Sequence, residues 1–146
     1  MTGSQFILGC DPGPTPGLVG LLCVDGAVLA VTTWDDVNRA LQDTARHAAP
    51  WVAVERFIIA RGTTKKGRGP ALVTITMAQN VRDYAKVMGW PLQMLPAGSV
   101  KPRMKDAHLK GYGVWDHVAG PHQRDAARHA LFMAVNHGVL PAVAPS

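Results

Sequence analysis

The dipeptide Asp25-Gly26 lies between two runs that favour extended chain, Leu18–Val24 and Ala27–Thr33, and it restricts the fold more than any other local feature. Asp-Gly between apolar, β-branched runs is the strongest short-range signal for an antiparallel hairpin. Upstream, Gln5–Cys10 is a third apolar run, which stops at Asp11. The stretch that follows, Pro12-Gly13-Pro14-Thr15-Pro16-Gly17, admits neither helix nor central strand. Three antiparallel strands therefore come first.

The pattern then changes. Asp35 or Asp36 can cap a helix with Val37, Ala40, Leu41, Ala45 and Ala48 on one face, ending before Pro50. Trp51–Val54 reads as a buried strand that ends at Glu55. Its lack of alternation implies cover on both faces, as in a parallel central strand reached by a helical crossover. Ala60–Gly69 has three glycines and no periodicity, and reads as a mobile surface loop. Pro70 fits the first position of a helix with Leu72, Ile75, Val81, Tyr84, Ala85 and Met88 inward and Gly89 as its stop. Pro91–Leu95 is a fifth, short strand, Gly98–Leu109 a basic helix, and Gly111–Gly120 irregular. Pro121–His137 reads as a final helix with an inner stripe of Ala126, Ala130, Leu131, Ala134 and Val135, and Val139–Ser146 as a frayed tail. The expected class is α/β, with a five-stranded mixed sheet flanked by helices in one domain spanning 1–146.

A chain of 146 residues can bury a real core without disulfide or metal staples. Its apolar runs are broken well short of the ~18–20 residues of a membrane span, and residues 1–5 carry no basic signal-peptide region. The expectation is a cytoplasmic protein with no membrane partner. Cys10 and Cys23 lie out of register on neighbouring strands, so no structural disulfide is expected. Net charge is +5 with a pI near 9.6, which favours an anionic partner such as nucleic acid. From 56 to 68 the chain carries Arg56, Arg61, Lys65, Lys66 and Arg68 and no acid. A second cluster, Lys101, Arg103, Lys105 and Lys110, is offset only by Asp106.

The chain has one glutamate, Glu55, at the end of an apolar strand. A carboxylate there needs a cation, hydrogen bonds or a raised pKa, because an unpaired buried charge costs several kcal/mol. Asp11 holds the equivalent place after the first strand. If the two strands are adjacent, the carboxylates converge, and the last helix adds His122 and Asp125, three apart on one face. Such a donor set suits Mg²⁺ or Mn²⁺. Two such ions roughly 3.5–4 Å apart promote in-line phosphodiester displacement. Taken singly, each acid has an ordinary role: Asp11 starts a turn, Glu55 pairs with a cation, Asp125 complements a helix dipole. Joint placement at two strand ends and a helix start favours chemistry. His122, Asp125 and His129 share a face, but no cysteine cluster or third converging histidine supports zinc, and His129 reads as core or surface. Trp34, Trp51, Trp90 and Trp115, at element ends, read as packing rather than base-stacking platforms.

Ile7-Leu8-Gly9-Cys10-Asp11-Pro12-Gly13 resembles the I-G-I-D-P-G opening of RuvC-type Holliday junction resolvases. Val52-Ala53-Val54-Glu55-Arg56-Phe57 resembles the segment holding the second catalytic acid. Pro96-Ala97-Gly98-Ser99-Val100-Lys101 resembles the segment with a Val-Lys pair, and His122-Gln123-Arg124-Asp125-Ala126-Ala127 the C-terminal acid–x–x–Asp–Ala motif. The resemblance spans roughly residues 5–138, with four motifs in order, and the chain, shorter than typical cellular members, looks more like the phage-encoded branch. It implies an RNase H-like fold, a homodimer, and Mg²⁺-dependent paired nicking of four-way DNA junctions, and leaves open whether other branched DNA such as forks and flaps is cut. It makes Asp11, Glu55 and Asp125 metal ligands. His122 stands where many members have Asp and some have His, and would bind metal, orient the attacking water or act as a base. Phe57 and Ile58 fill the zone of a junction wedge, while Arg61, Lys65, Lys66, Arg68, Lys101 and Lys105 would contact phosphates.

Two other classes compete. Asp11-Pro12-Gly13 with Gly17 also resembles the first phosphate-binding hairpin of actin-like ATPases and sugar kinases, but these close two related domains over a nucleotide and 146 residues supply one. A junction-binding module without catalysis would keep the charge and the aromatics. A lone glutamate at a strand end argues against it.

Overall fold

The computed structural model describes residues 3–57 and 65–143. The first three strands, β1 (Ser4–Asp11), β2 (Gly17–Val24) and β3 (Ala27–Trp34), form an antiparallel meander. Asp25 and Gly26 both take positive φ, 51° and 81°, which is what a two-residue turn of the right twist requires. Helix α1 (Val37–Thr44) follows, with Asp36 as its cap: the Asn38 N–H donates to Asp36 Oδ1 at 2.8 Å. Next come β4 (Trp51–Glu55), α2 (Lys65–Met88), β5 (Leu92–Leu95), α3 (Ala97–Val100) and α4 (Asp106–Gly111). A 3₁₀ turn at Trp115–His117 leads into α5 (Gly120–Asn136). The sheet order is β3-β2-β1-β4-β5, with β1–β4 and β4–β5 parallel. This is the mixed sheet and the RNase H-like architecture expected from the sequence.

The sheet is covered on both faces. Ile7, Val19, Leu21 and Ala53 pack with Ala126, Ala130, Leu131 and Ala134 of α5. Phe6, Leu8, Leu18, Val52 and Val54 pack on the other face with Ala40 and Leu41 of α1 and Ala78, Val81 and Ala85 of α2. Alternate residues of β1 and β4 therefore point into different cores, which is why neither strand alternates in hydropathy. The α5 helix lies close on the sheet because Gly9 and Gly17 leave room: a Cβ at Gly9 would enter the Ala126 carbonyl, and one at Gly17 the His122 carbonyl. Both cysteines are buried and free, as expected.

Five local expectations are corrected. Lys65–Gly69 belongs to α2, so the loop reading fails there, while 60–64 lie outside the described residues. Pro70 is inside the helix rather than at its start, which leaves the Lys66 carbonyl without its i+4 donor. The buried positions of α2 are Ala71, Thr74, Ala78, Val81 and Ala85, whereas Leu72 and Met88 are exposed. Apolar residues lie on two faces of α2, and the smaller ones face the sheet; Thr74 satisfies its hydroxyl by donating to the Pro70 carbonyl at 2.9 Å.

The helix expected over 98–109 is two short helices. After α3 the amides of Arg103 and Met104 both turn back onto the Val100 carbonyl, and α4 restarts with the Lys105 N–H donating to His108 Nδ1 at 3.0 Å. Pro102 has no N–H with which to continue a regular ladder. Finally, Val139 and Leu140 are not a tail: they are buried in the α5-side core, and Tyr112 Oη donates to the Pro141 carbonyl and accepts from the Val143 N–H. Residues 144–146 lie outside the described residues. Leu140→Ala is expected to cost about 2–5 kcal/mol, the range for emptying a buried leucine site, measurable as a lowered urea midpoint with unchanged m. A frayed residue would cost nothing measurable.

Candidate active site

The parallel register of β1 and β4 builds the centre of the site. Gly9 pairs with Ala53 and Cys10 with Val54, so Asp11 and Glu55 come next, side by side at the same sheet edge. Both continue the series that points toward α5, since Ile7 and Ala53 lie in the core on that side. Asp11 is buried, and the Glu55 side chain keeps 17% of its exposure. From α5, His122 Nδ1 lies 3.0 Å from Asp11 Oδ2, with a half-exposed ring. Asp125, one turn on, is held by two cations: Lys101 Nζ at 3.1 Å from Oδ2 and Arg128 Nη1 at 3.7 Å from Oδ1. Arg128 also donates to the Met104 carbonyl at 3.0 Å and bonds the Asp106 carboxylate.

The electrostatics follow from this crowding. Burial pushes the Asp11 carboxyl well above the usual carboxylate range; its hydrogen bond with Glu55 and the charges of Glu55 and Asp125 push it the same way, and Lys101 opposes them. For Glu55, burial works against ionisation, but the approach of His129, hydrogen bonding to Asp11 and the charge of Lys101 outweigh it and hold the group below its ordinary range. The Asp11–Glu55 pair therefore titrates as a unit, with Asp11 its less acidic member. Burial, Asp11 and Glu55 together raise the Cys10 thiol so far that it stays protonated and unreactive.

This donor set fits a hard divalent cation in kind: three carboxylates and an imidazole gather with an excess of negative charge, and the nearest cation is the ammonium of Lys101. It is not a ready-made cage. Among the described residues no three His, Cys, Asp or Glu groups converge at metal-ligand spacing. Nor does the shared face of His122, Asp125 and His129 form a zinc site, because His129 turns instead to Glu55.

The expected DNA contacts divide. Phe57 is 42% exposed just beyond Glu55. Ile58 and Arg61 lie outside the described residues. Lys65, Lys66 and Arg68 fall on the first turn of α2. Lys101 and Lys105 line one open cavity of about 440 Å³ with Asp106, Asp125 and Arg128. Two tryptophans are structural: buried Trp90 packs against Tyr84, and half-buried Trp34 donates through Nε1 to Asp43 Oδ2 at 2.8 Å. Trp115 differs, with the Arg124 guanidinium 4.0 Å and Lys110 Nζ 4.8 Å from its ring centre, a cation–π cluster the sequence did not announce. Arg128 was also missed, and His129, rightly read as core, was not read as a neighbour of Glu55. Their signal was the spacing from His122 and Asp125 on α5, which places all four along neighbouring rows of one helix.

A scan against protein-family models gives no match, and a search of curated proteins gives none. Among solved structures, the chain is similar to T. thermophilus RuvC in complex with Holliday junction substrate, with a TM-score of 0.63 and 18% identity over 92% of this chain and 97% of that one. The likeness establishes a RuvC-like fold and gives no support to a phage-encoded branch.

Proposed function

We propose that the chain is a metal-dependent, structure-selective endodeoxyribonuclease that resolves four-way DNA junctions, acting as a homodimer. The observation that carries the reading is the meeting of Asp11 and Glu55 in register at one sheet edge, with Asp125 and His122 of α5 beside them. The Holliday junction bound by the structural neighbour supports the substrate class. In this reading Asp11, Glu55 and Asp125 hold Mg²⁺, for which Mn²⁺ substitutes. Such ions supply charge neutralisation at the scissile phosphate and a more acidic attacking water. His122, with Nδ1 engaged by Asp11, leaves Nε2 free to take a proton at the attacking face. Lys101 and Lys105 border the same opening and neutralise the flanking phosphates. Exposed Leu72, Val73, Val87 and Met88 on α2 support a second copy as its partner, because apolar side chains on one exposed helix favour burial. No helix among the described residues is long and apolar enough to cross a membrane.

Labelled four-way and three-way junctions incubated with and without Mg²⁺ test the reading. Symmetric, Mg²⁺-dependent nicks across the four-way substrate are expected, together with a dimer mass in solution. The pairing of Asp125 with Lys101 and Arg128 favours one other reading, a non-catalytic junction binder in which these cations permanently neutralise the acid. Binding without nicks at any divalent concentration establishes that reading instead. In either case affinity should fall steeply with salt, and Lys105→Ala should lower the slope of log K against log salt by about one unit. An unchanged slope removes Lys105 from the interface.

A further inference from the structure

The α5 helix buries a histidine that the proposed chemistry does not use. His129 is 1% exposed, and its Nε2 lies 3.7 Å from Glu55 Oε1, a polar approach just beyond hydrogen-bond length. Its Nδ1 is buried and has no partner among the described residues. Among the described residues nothing on the sheet side bonds the ring, since Gln93 reaches the His129 backbone carbonyl at 3.4 Å and not the imidazole.

The two ring nitrogens are therefore not equivalent. A proton on Nδ1 would bury an N–H donor with no acceptor, which costs about 1–3 kcal/mol. A proton on Nε2 leaves at Nδ1 only a bare lone pair and aims the N–H at a carboxylate. We infer that His129 is a positioning residue: held as its Nε2–H tautomer by the lack of an acceptor at buried Nδ1, it fixes the Glu55 carboxylate at the sheet edge beside Asp11. The ring sits in the helix that also carries His122 and Asp125, so one rigid element sets both sides of the acid cluster. Without this donor Glu55 would sit at the end of an apolar strand with Asp11 and the Lys101 ammonium as its remaining polar neighbours among the described residues.

The inference rests on the proposed metal site only in assigning Glu55 a role there, and it is tested in two arms. The first needs no metal and no activity. Long-range ¹H–¹⁵N correlation of the metal-free protein should show, among the imidazoles, an Nε2–H pattern that is absent from His129→Gln and displaced in Glu55→Gln. The chain's one glutamate makes Glu55 a single ¹³C carboxyl resonance under selective labelling, and that resonance should move in His129→Leu. An Nδ1–H tautomer, or a Glu55 resonance indifferent to His129→Leu, overturns the assignment. In the second arm, Mn²⁺ binding followed by EPR should weaken 10–100-fold in His129→Leu, the usual effect of removing a partner of a metal ligand. His129→Gln, whose side-chain N–H reaches a similar place, should restore affinity to within about threefold, as a purely space-filling role would not. Equal Mn²⁺ affinity in wild type and His129→Leu refutes the positioning role, whereas a wild type that takes up no Mn²⁺ refutes the metal site and leaves the tautomer arm to decide.

Discussion

Asp11→Asn is expected to bind a four-way junction at least as tightly as the wild type and to cut it at least about 10³-fold more slowly. The size follows from the several kcal/mol that carboxylate-held divalent ions contribute to phosphodiester displacement, at 1.36 kcal/mol per tenfold. Binding survives because the cations around the opening are untouched and one negative charge facing the DNA backbone is gone. Gel-shift and nicking assays on one labelled substrate separate the two effects. Full cutting by Asp11→Asn would falsify the assignment of Asp11 to the metal site.

The same substitution should alter stability in a pH-dependent way. The folded-state pKa of Asp11 is raised, chiefly by burial, so the folded protein retains a proton that the unfolded chain releases. Its contribution is complete below the ordinary aspartate range and is lost progressively as pH rises toward the raised value. Metal-free Asp11→Asn, which has no such loss, should melt at a higher temperature than wild type at pH 8, with the gap closing toward about pH 4. Mg²⁺ should raise the wild-type Tm and leave that of the variant nearly unmoved. A pH-independent gap would mean that Asp11 is ionised in the folded state.

Gly9→Ala has the largest expected effect on the fold itself. Its new Cβ would occupy the space of the Ala126 carbonyl and stand 3.1 Å from the Ala130 Cβ, so relief must come from backbone rather than from a flexible side chain. Overpacking of this kind costs about 3 kcal/mol or more, roughly 6–12 °C in Tm at this chain length. Because α5 carries His122 and Asp125, lifting it should also reduce nicking in whatever fraction remains folded. Gly98→Ala is the matched control: a Cβ there meets nothing within 4 Å, and in α3 it should be neutral or stabilising by up to about 1 kcal/mol. Equal melting temperatures for Gly9→Ala and wild type would show that the helix does not seat on that glycine.

Some of this was legible in the sequence because local chemistry and tertiary structure agreed. Asp25-Gly26 and the Pro-Gly stretch after Asp11 admit few conformations, and the meander follows from them. Asp11 and Glu55 stood out because acids at the ends of apolar strands need partners. What was missed depends on contacts that hydropathy does not encode. On α2 the apolar residues occupy two faces, and only the packed sheet selects Ala78 and Val81 over Leu72 and Met88. The Val139–Leu140 anchor is two apolar residues after a helix stop, unremarkable until the Tyr112 hydroxyl bonds the chain beyond them. His129 could be read as core, which it is, but its partner comes from a strand 74 positions earlier in the sequence, a pairing that no local spacing reveals.

The pairing of β1 with β4 limits how the chain tolerates insertions and deletions. From Trp51 to Val54 every position is apolar, so removing one of them would leave the strand hydrophobic on both sides and its hydropathy profile almost untouched. Glu55 would nonetheless turn to the side of α1 and α2, and no second glutamate in the chain could take its place beside Asp11. A single lost codon in that strand would therefore be a near-silent change by sequence profile and a disabling one by geometry, whereas length changes at the Asp25-Gly26 turn would leave the acid pair facing each other.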